Sequence, residues 1–205
     1  MAKIKLTKGE LKRQRDSLRQ YERYLPTLQL KKQQLQLEIL QQSNLAAEKR
    51  RAFEKKKEAA LLWAGLLAEP GVNLREWVTP SNILSGEKNV AGVDLPVFKR
   101  VDFRQTDYDL FATPMWVDFA VEALRNMAAL EEEIRVVEKG INILRHELRI
   151  TTQRVNLFEK IKIPDAMEAI RIIKIYIGDQ MANAVGRSKI AKRKIEQAER
   201  LEVYA

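Results

Sequence analysis

The chain is 205 residues long, 45% hydrophobic and 32% charged, with 8 glycines, 6 prolines and no cysteine. That composition excludes a turn-rich β fold, a low-complexity chain, a disulfide scaffold and a thiolate metal site, and it is too apolar for a disordered polyampholyte. No 18 apolar residues run uninterrupted, and Lys3, Lys5 and Lys8 precede no apolar block of signal-peptide length, so neither a membrane span nor export is expected.

The net charge of +9 sits at the two ends. Residues 1–23 hold eight Lys or Arg against three acids, and residues 183–205 hold six against three. Such ends suit nucleic-acid contact, or a shaft whose two ends lie together inside a partner.

Taken in chain order, residues 1–68 are expected to form a long helix. A three-four alternation runs from Leu11 through Leu18, Tyr21, Leu25, Leu28, Leu35, Ile39, Ala46, Phe53, Ala60 and Trp63 to Leu67, apolar at twelve of seventeen positions, which is a coiled-coil stripe. Residues 69–114 switch to Gly, Pro, Asn and Asp punctuation, including Gly71, Pro80, Gly86, Gly92 and Pro96. Asn89–Leu95 and Val97–Phe103 read as short strands, with Pro96 between them in a tight hairpin or on an edge strand. Thr113 and Pro114 read as N-cap and first residue of a second long helix over 115–205.

That helix carries Trp116, Phe119, Ala123, Met127, Leu130, Ile134, Val137, Ile141, Leu144, Leu148, Thr151, Val155 and Phe158 on one track. Beyond Pro164 the expected track is Met167, Ile170, Lys174, Ile177, Met181 and Ala184. Pro164 predicts a bend or local break, and Pro26 poses the same problem in the first helix. Two such helices bury their stripes by folding back antiparallel. The fold class is therefore mainly all-α: a long antiparallel two-helix coiled coil with a short β-hairpin-containing middle, forming one elongated domain.

Catalytic signals are absent from the sequence. There is neither a phosphate-binding loop nor a Gly-x-Gly-x-x-Gly turn, and His146, the one histidine, has no constellation around it. Glu131, Glu132 and Glu133 point in different directions on a helix and read as a solvated or salt-bridged face. The tract Lys189, Lys192, Arg193 and Lys194 could meet phosphates, but it lacks interleaved aromatics and Glu196, Glu199 and Glu202 follow it. Trp63, Trp116 and Phe119 are expected to pack beneath the irregular middle. No cofactor or metal is called for.

Three motifs carry a family resemblance. Arg154-Val155-Asn156, then Leu157, Glu159, Ile163 and Pro164, is similar to a signature in the C-terminal helix of the family of V/A-type ATPase D subunits. Asn89 to Pro96 resembles that family's Asn-x-x-Gly-Val-x-x-Pro segment, and Tyr21-Glu22-Arg23 with Leu28, Lys31, Lys32 and Leu35 resembles its N-terminal helix. The sequence departs from the pattern at Tyr24, Pro26 and Gly178 to Met181.

The resemblance implies a non-catalytic central-stalk rotor at the cytoplasmic, peripheral part of a membrane-bound complex. Its paired termini would insert into a ring of A and B subunits, with the F subunit of the stalk and a funnel-shaped subunit (C or d) as further partners. The residues it points to for partner contact are Asn89, Gly92, Val93, Pro96, Arg154, Asn156, Lys189, Lys192 and Arg193. Read without the resemblance, the same residues suit a coiled-coil adaptor or scaffold, or a basic nucleic-acid-binding coiled coil.

Overall fold

The computed structural model describes residues 5–68, 74–104 and 113–203. Lys3 and Gly71 lie outside the described residues, as do the side chains of Glu199 and Glu202. The element order is α1 (Lys8–Leu61), a 3₁₀ turn (Ala64–Ala68), α2 (Arg75–Val78), β1 (Pro80–Val90), β2 (Val93–Phe103), α3 (Trp116–Leu157), a π turn (Phe158–Lys162) and α4 (Ile163–Val203). The fold is mainly α, with a two-stranded antiparallel hairpin between the long helices.

Helix α1 begins where Thr7 caps it. The Thr7 hydroxyl oxygen accepts from the Glu10 amide at 3.3 Å, the side-chain-to-N3 half of a Thr-x-x-Glu start signal. Pro26 lies inside the 54-residue helix and leaves the Glu22 carbonyl without its amide donor. Helix α3 starts at Trp116 rather than at Pro114. Val117 donates back to the Pro114 carbonyl at 3.0 Å, so Pro114 belongs to the lead-in turn.

The chain divides into two compact units. In the first, Leu30–Thr152, three ion pairs set the helix direction: Lys31 to Glu147 at 3.0 Å, Lys49 to Glu133 at 2.9 Å, and Arg50 to Glu138. Lys31 meets Glu147 whereas Lys49 and Arg50, further along α1, meet Glu133 and Glu138, earlier on α3, so the two run antiparallel, with base on α1 and acid on α3 each time. Between these pairs Ala46 packs with Val137 and Ile141. Beside them Leu35 and Leu144, both fully buried, pack with Val93 and Leu95 of the hairpin. Complete burial of each leucine contributes about 2 kcal/mol. At the start of α3 the inward positions are Val117, Ala120 and Val121, and Phe119 is 77% exposed. This corrects the placement of Phe119 beneath the middle: a shift of one residue turns a helix face by about 100°.

The hairpin turns at Ala91–Gly92, not at Pro96. Val90 pairs with Val93, and both loop residues have positive φ, 52° and 77°, as a two-residue type I′ connection requires. Pairs in such a hairpin alternate between hydrogen-bonded and non-hydrogen-bonded outward from the closing pair. Pro96, opposite Glu87, falls at a non-hydrogen-bonded position, where its missing N–H costs the ladder nothing. Pro96 is thus tolerated inside β2.

The second unit combines Met1–Gln29 with Gln153–Ala205. Here Tyr21 stacks on Phe158 with ring centroids 5.3 Å apart. Pro164 has no N–H for the Lys160 carbonyl and its ring crowds that group. The turn before it widens accordingly, and Ile163 donates to the Phe158 carbonyl five residues back. The inward positions therefore step from Phe158 to Ile163 and on through Ala166, Ala169, Ile170 and Ile173. Of the expected track, Ile170 is buried and Ile177 half-buried. Met167 is 51% exposed because the extra residue in the π turn shifts the face of α4, and Met181, 60% exposed, lies in the far part where every described side chain is exposed.

Candidate partner-binding surfaces

Within the hairpin, the resemblance-bearing segment is explained by turn chemistry. The Asn89 side-chain oxygen accepts from the Gly92 amide at 3.1 Å, and its side-chain nitrogen donates to Asp94 Oδ1 at 2.6 Å. Asn89 thereby holds the turn that needs Gly92. Val93 is buried in the core shared with both helices and presents no side chain outward. Asn89 is exposed, and Pro96 is half-buried.

The hairpin is also tied to α1 by charge. Lys88 stands opposite Leu95 across the strands, and its Nζ lies 3.9 Å from Glu38 Oε1. Glu38, 8% exposed, also accepts from Gln42 at 2.9 Å, so this buried carboxylate is supplied with donors. A cavity of about 180 Å³ remains under the hairpin beside Leu45, Val97, Phe98, Val137 and Gly140.

Arg154 and Asn156 lie in the last turn of α3, on either side of buried Val155. Lys189, Lys192 and Arg193 are exposed on α4, where Lys192 lies 3.7 Å from Glu196. The nine residues thus fall into three groups by element: hairpin, end of α3 and far part of α4. His146 is exposed. Glu131 and Glu132 pair with Arg135, whereas Glu133 pairs with Lys49, so the three carboxylates serve different partners.

One surface was not anticipated, and another, expected only as a basic tract, also carries exposed apolar residues. Leu30, Leu37 and Leu40 form a second apolar stripe on α1, each more than half exposed, signalled by their i, i+7, i+10 spacing on a helix. The other is the far part of α4. The α1 stretch from Lys8 to Gln29 is about 33 Å long and the 41 residues of α4 about 61 Å, so α1 covers only the near part. Every described side chain from Gly178 to Ala198 is exposed, with Met181, Val185, Ile190 and Ile195 among them.

Among the described residues no group of three or more His, Cys, Asp or Glu is placed to hold a metal ion, and no helix is long and apolar enough to cross a membrane.

The sequence profile of the ATP synthase D subunit matches residues 10–193. The chain is 44% identical over 192 residues to the V-type ATP synthase D subunit of Borreliella burgdorferi, covering 94% of this chain and 95% of that protein. It is 36% identical to that of Chlamydia abortus, covering 96% and 95%, and 33% identical to that of Chlamydia trachomatis serovar L2, covering 96% and 98%.

Proposed function

The chain belongs to the family of ATP synthase D subunits, and from that premise we propose that it is the non-catalytic rotor of the central stalk of a V/A-type rotary ATPase. It turns inside the ring of A and B subunits, binds the F subunit and the funnel-shaped subunit above the membrane ring, and couples ATP synthesis or hydrolysis to ion translocation.

The observation that carries the reading is the uncovered length of α4. Isolated helices are marginal in water, and an exposed helix bearing Met181, Val185, Ile190 and Ile195 gains stability from a surrounding partner. Its Lys189, Lys192 and Arg193 keep that contact polar, which suits a tip that slides past successive ring positions rather than locking to one. Asn89 and Pro96 on the hairpin, with Arg154 and Asn156 at the end of α3, belong to other elements and are assigned to the stalk partners.

Co-purification of the tagged full chain from cells that express the whole complex tests this. The A, B and F subunits should be recovered together, and the chain by itself should show no ATP turnover. Recovery of the chain without ring subunits would instead support an adaptor role.

A further inference from the structure

Arg125, in the third turn of α3, reaches the residues that flank both strands of the β hairpin at its open end with one side chain. Its Nε donates to the Trp77 carbonyl at 2.9 Å and one Nη donates to the Arg104 carbonyl at 2.7 Å. Its guanidinium carbon lies 5.4 Å from the centre of the Phe103 ring, within cation–π range.

Both carbonyls flank the open end of the hairpin. Trp77 lies in the last turn of α2, and Arg104 follows the last residue of β2. The final carbonyls of a helix have no donor within it. In α2 the Thr79 amide and hydroxyl both go to Arg75, at 3.1 and 2.6 Å. A guanidinium meets two acceptors with adjacent N–H groups in a fixed plane, and it stays charged at any physiological pH. A lysine ammonium is a point charge on a flexible stem, without that planar fork.

The hairpin is therefore anchored at both extremities. Its turn is held through Val93 and Leu95 in the helix core, with Lys88 against Glu38, and its open end is held by Arg125. We propose that Arg125 is a positioning residue that latches the hairpin to α3, so that a stalk partner gripping the hairpin turns with the helix pair instead of flexing the hairpin. The mechanical part of this rests on the stalk reading above; the latch itself does not.

The test uses the full chain with Arg125→Gln, Arg125→Lys and Phe103→Leu. Amide hydrogen exchange over residues 79–103 should quicken about tenfold in Arg125→Gln, with exchange in the α1–α3 core around Leu35 and Leu144 unchanged. Arg125→Lys should restore little of the protection, since charge alone is not the requirement, and Phe103→Leu should have the smallest effect. In the reconstituted complex, Arg125→Gln should still assemble but move fewer ions per ATP hydrolysed.

Unchanged hairpin exchange in Arg125→Gln, or full rescue by lysine, would overturn the latch. A loosened hairpin with an unaltered ion-to-ATP ratio would overturn its mechanical role. If Arg125→Gln also raises exchange throughout the helix core, the lysine variant decides, because a loss confined to the hairpin there supports the latch and full protection there refutes it. Failure of the wild-type chain to join the ring would count against the stalk reading alone and leave the exchange results standing.

Discussion

Glu168 and Arg171 face each other one helical turn apart on α4, joined by two hydrogen bonds of 2.7 and 2.8 Å. The hydrogen bond from Arg171 holds the Glu168 carboxyl below the ordinary glutamate value, and the charge of Arg171 adds to it. A depressed folded-state value means the pair stabilises α4 at neutral pH, and that contribution is lost as pH falls through the titration of Glu168. Because both side chains are more than half exposed, the effect on stability is small and screened by salt. An NMR titration should find the Glu168 midpoint lower in the wild type than in Arg171→Gln, and the gap should narrow at high salt. At this same scale the chain is unevenly legible. A capping signal such as Thr7 to Glu10 is local and can be read from four letters, whereas the roles of Arg125 and Glu38 cannot. The partners of Arg125 are backbone carbonyls 21 and 48 residues away, and Glu38 is matched by a lysine from a different element.

At the scale of elements, long helices announce themselves through their three-four alternation, and α1 and α3 are legible for that reason. The phase of α4 is legible only in part: Ile170 and Ile177 lie inward as expected, whereas Met167 does not, because a π turn adds a residue that no periodicity count anticipates. The hairpin turn is obscured for a related reason: Pro96 is the stronger local punctuation, but its position out of the hydrogen-bonding register makes it harmless within β2. The actual turn places Ala91 at φ 52°, a conformation that costs an L-residue other than Gly, Asn or Asp about 1 kcal/mol or more. Ala91→Asn creates the Asn-Gly pair that type I′ turns favour. It should stabilise the hairpin by about 1 kcal/mol, which slows exchange of its amides roughly fivefold where they open locally. Ala91→Val should act in the opposite direction, since a β-branched side chain fits positive φ poorly.

For the whole molecule, the uncovered part of α4 and the hairpin core make separable demands, and that separation tests the rotor reading. The far end of α4 is legible in the sequence only as a basic tract, because its lack of cover depends on where α1 starts relative to the π turn. Removing residues 187–205 deletes no buried side chain among those described, as the last buried residue of α4 is Ile173; folding should survive. Val93→Asp instead places a charge among Leu35, Leu95 and Leu144, where an unpaired carboxylate costs several kcal/mol, on the order of 3 or more. The truncated chain should keep its binding to the F subunit, hold the A and B ring less tightly and translocate fewer ions per ATP. Val93→Asp should lose hairpin protection and binding to F first. Both variants belong in one reconstituted complex, with F binding, ring binding and ATP-driven transport measured side by side. If the truncation abolished F binding while ring assembly and coupling stayed intact, the tip would point toward the stalk partners, and the proposed orientation of the rotor would be reversed.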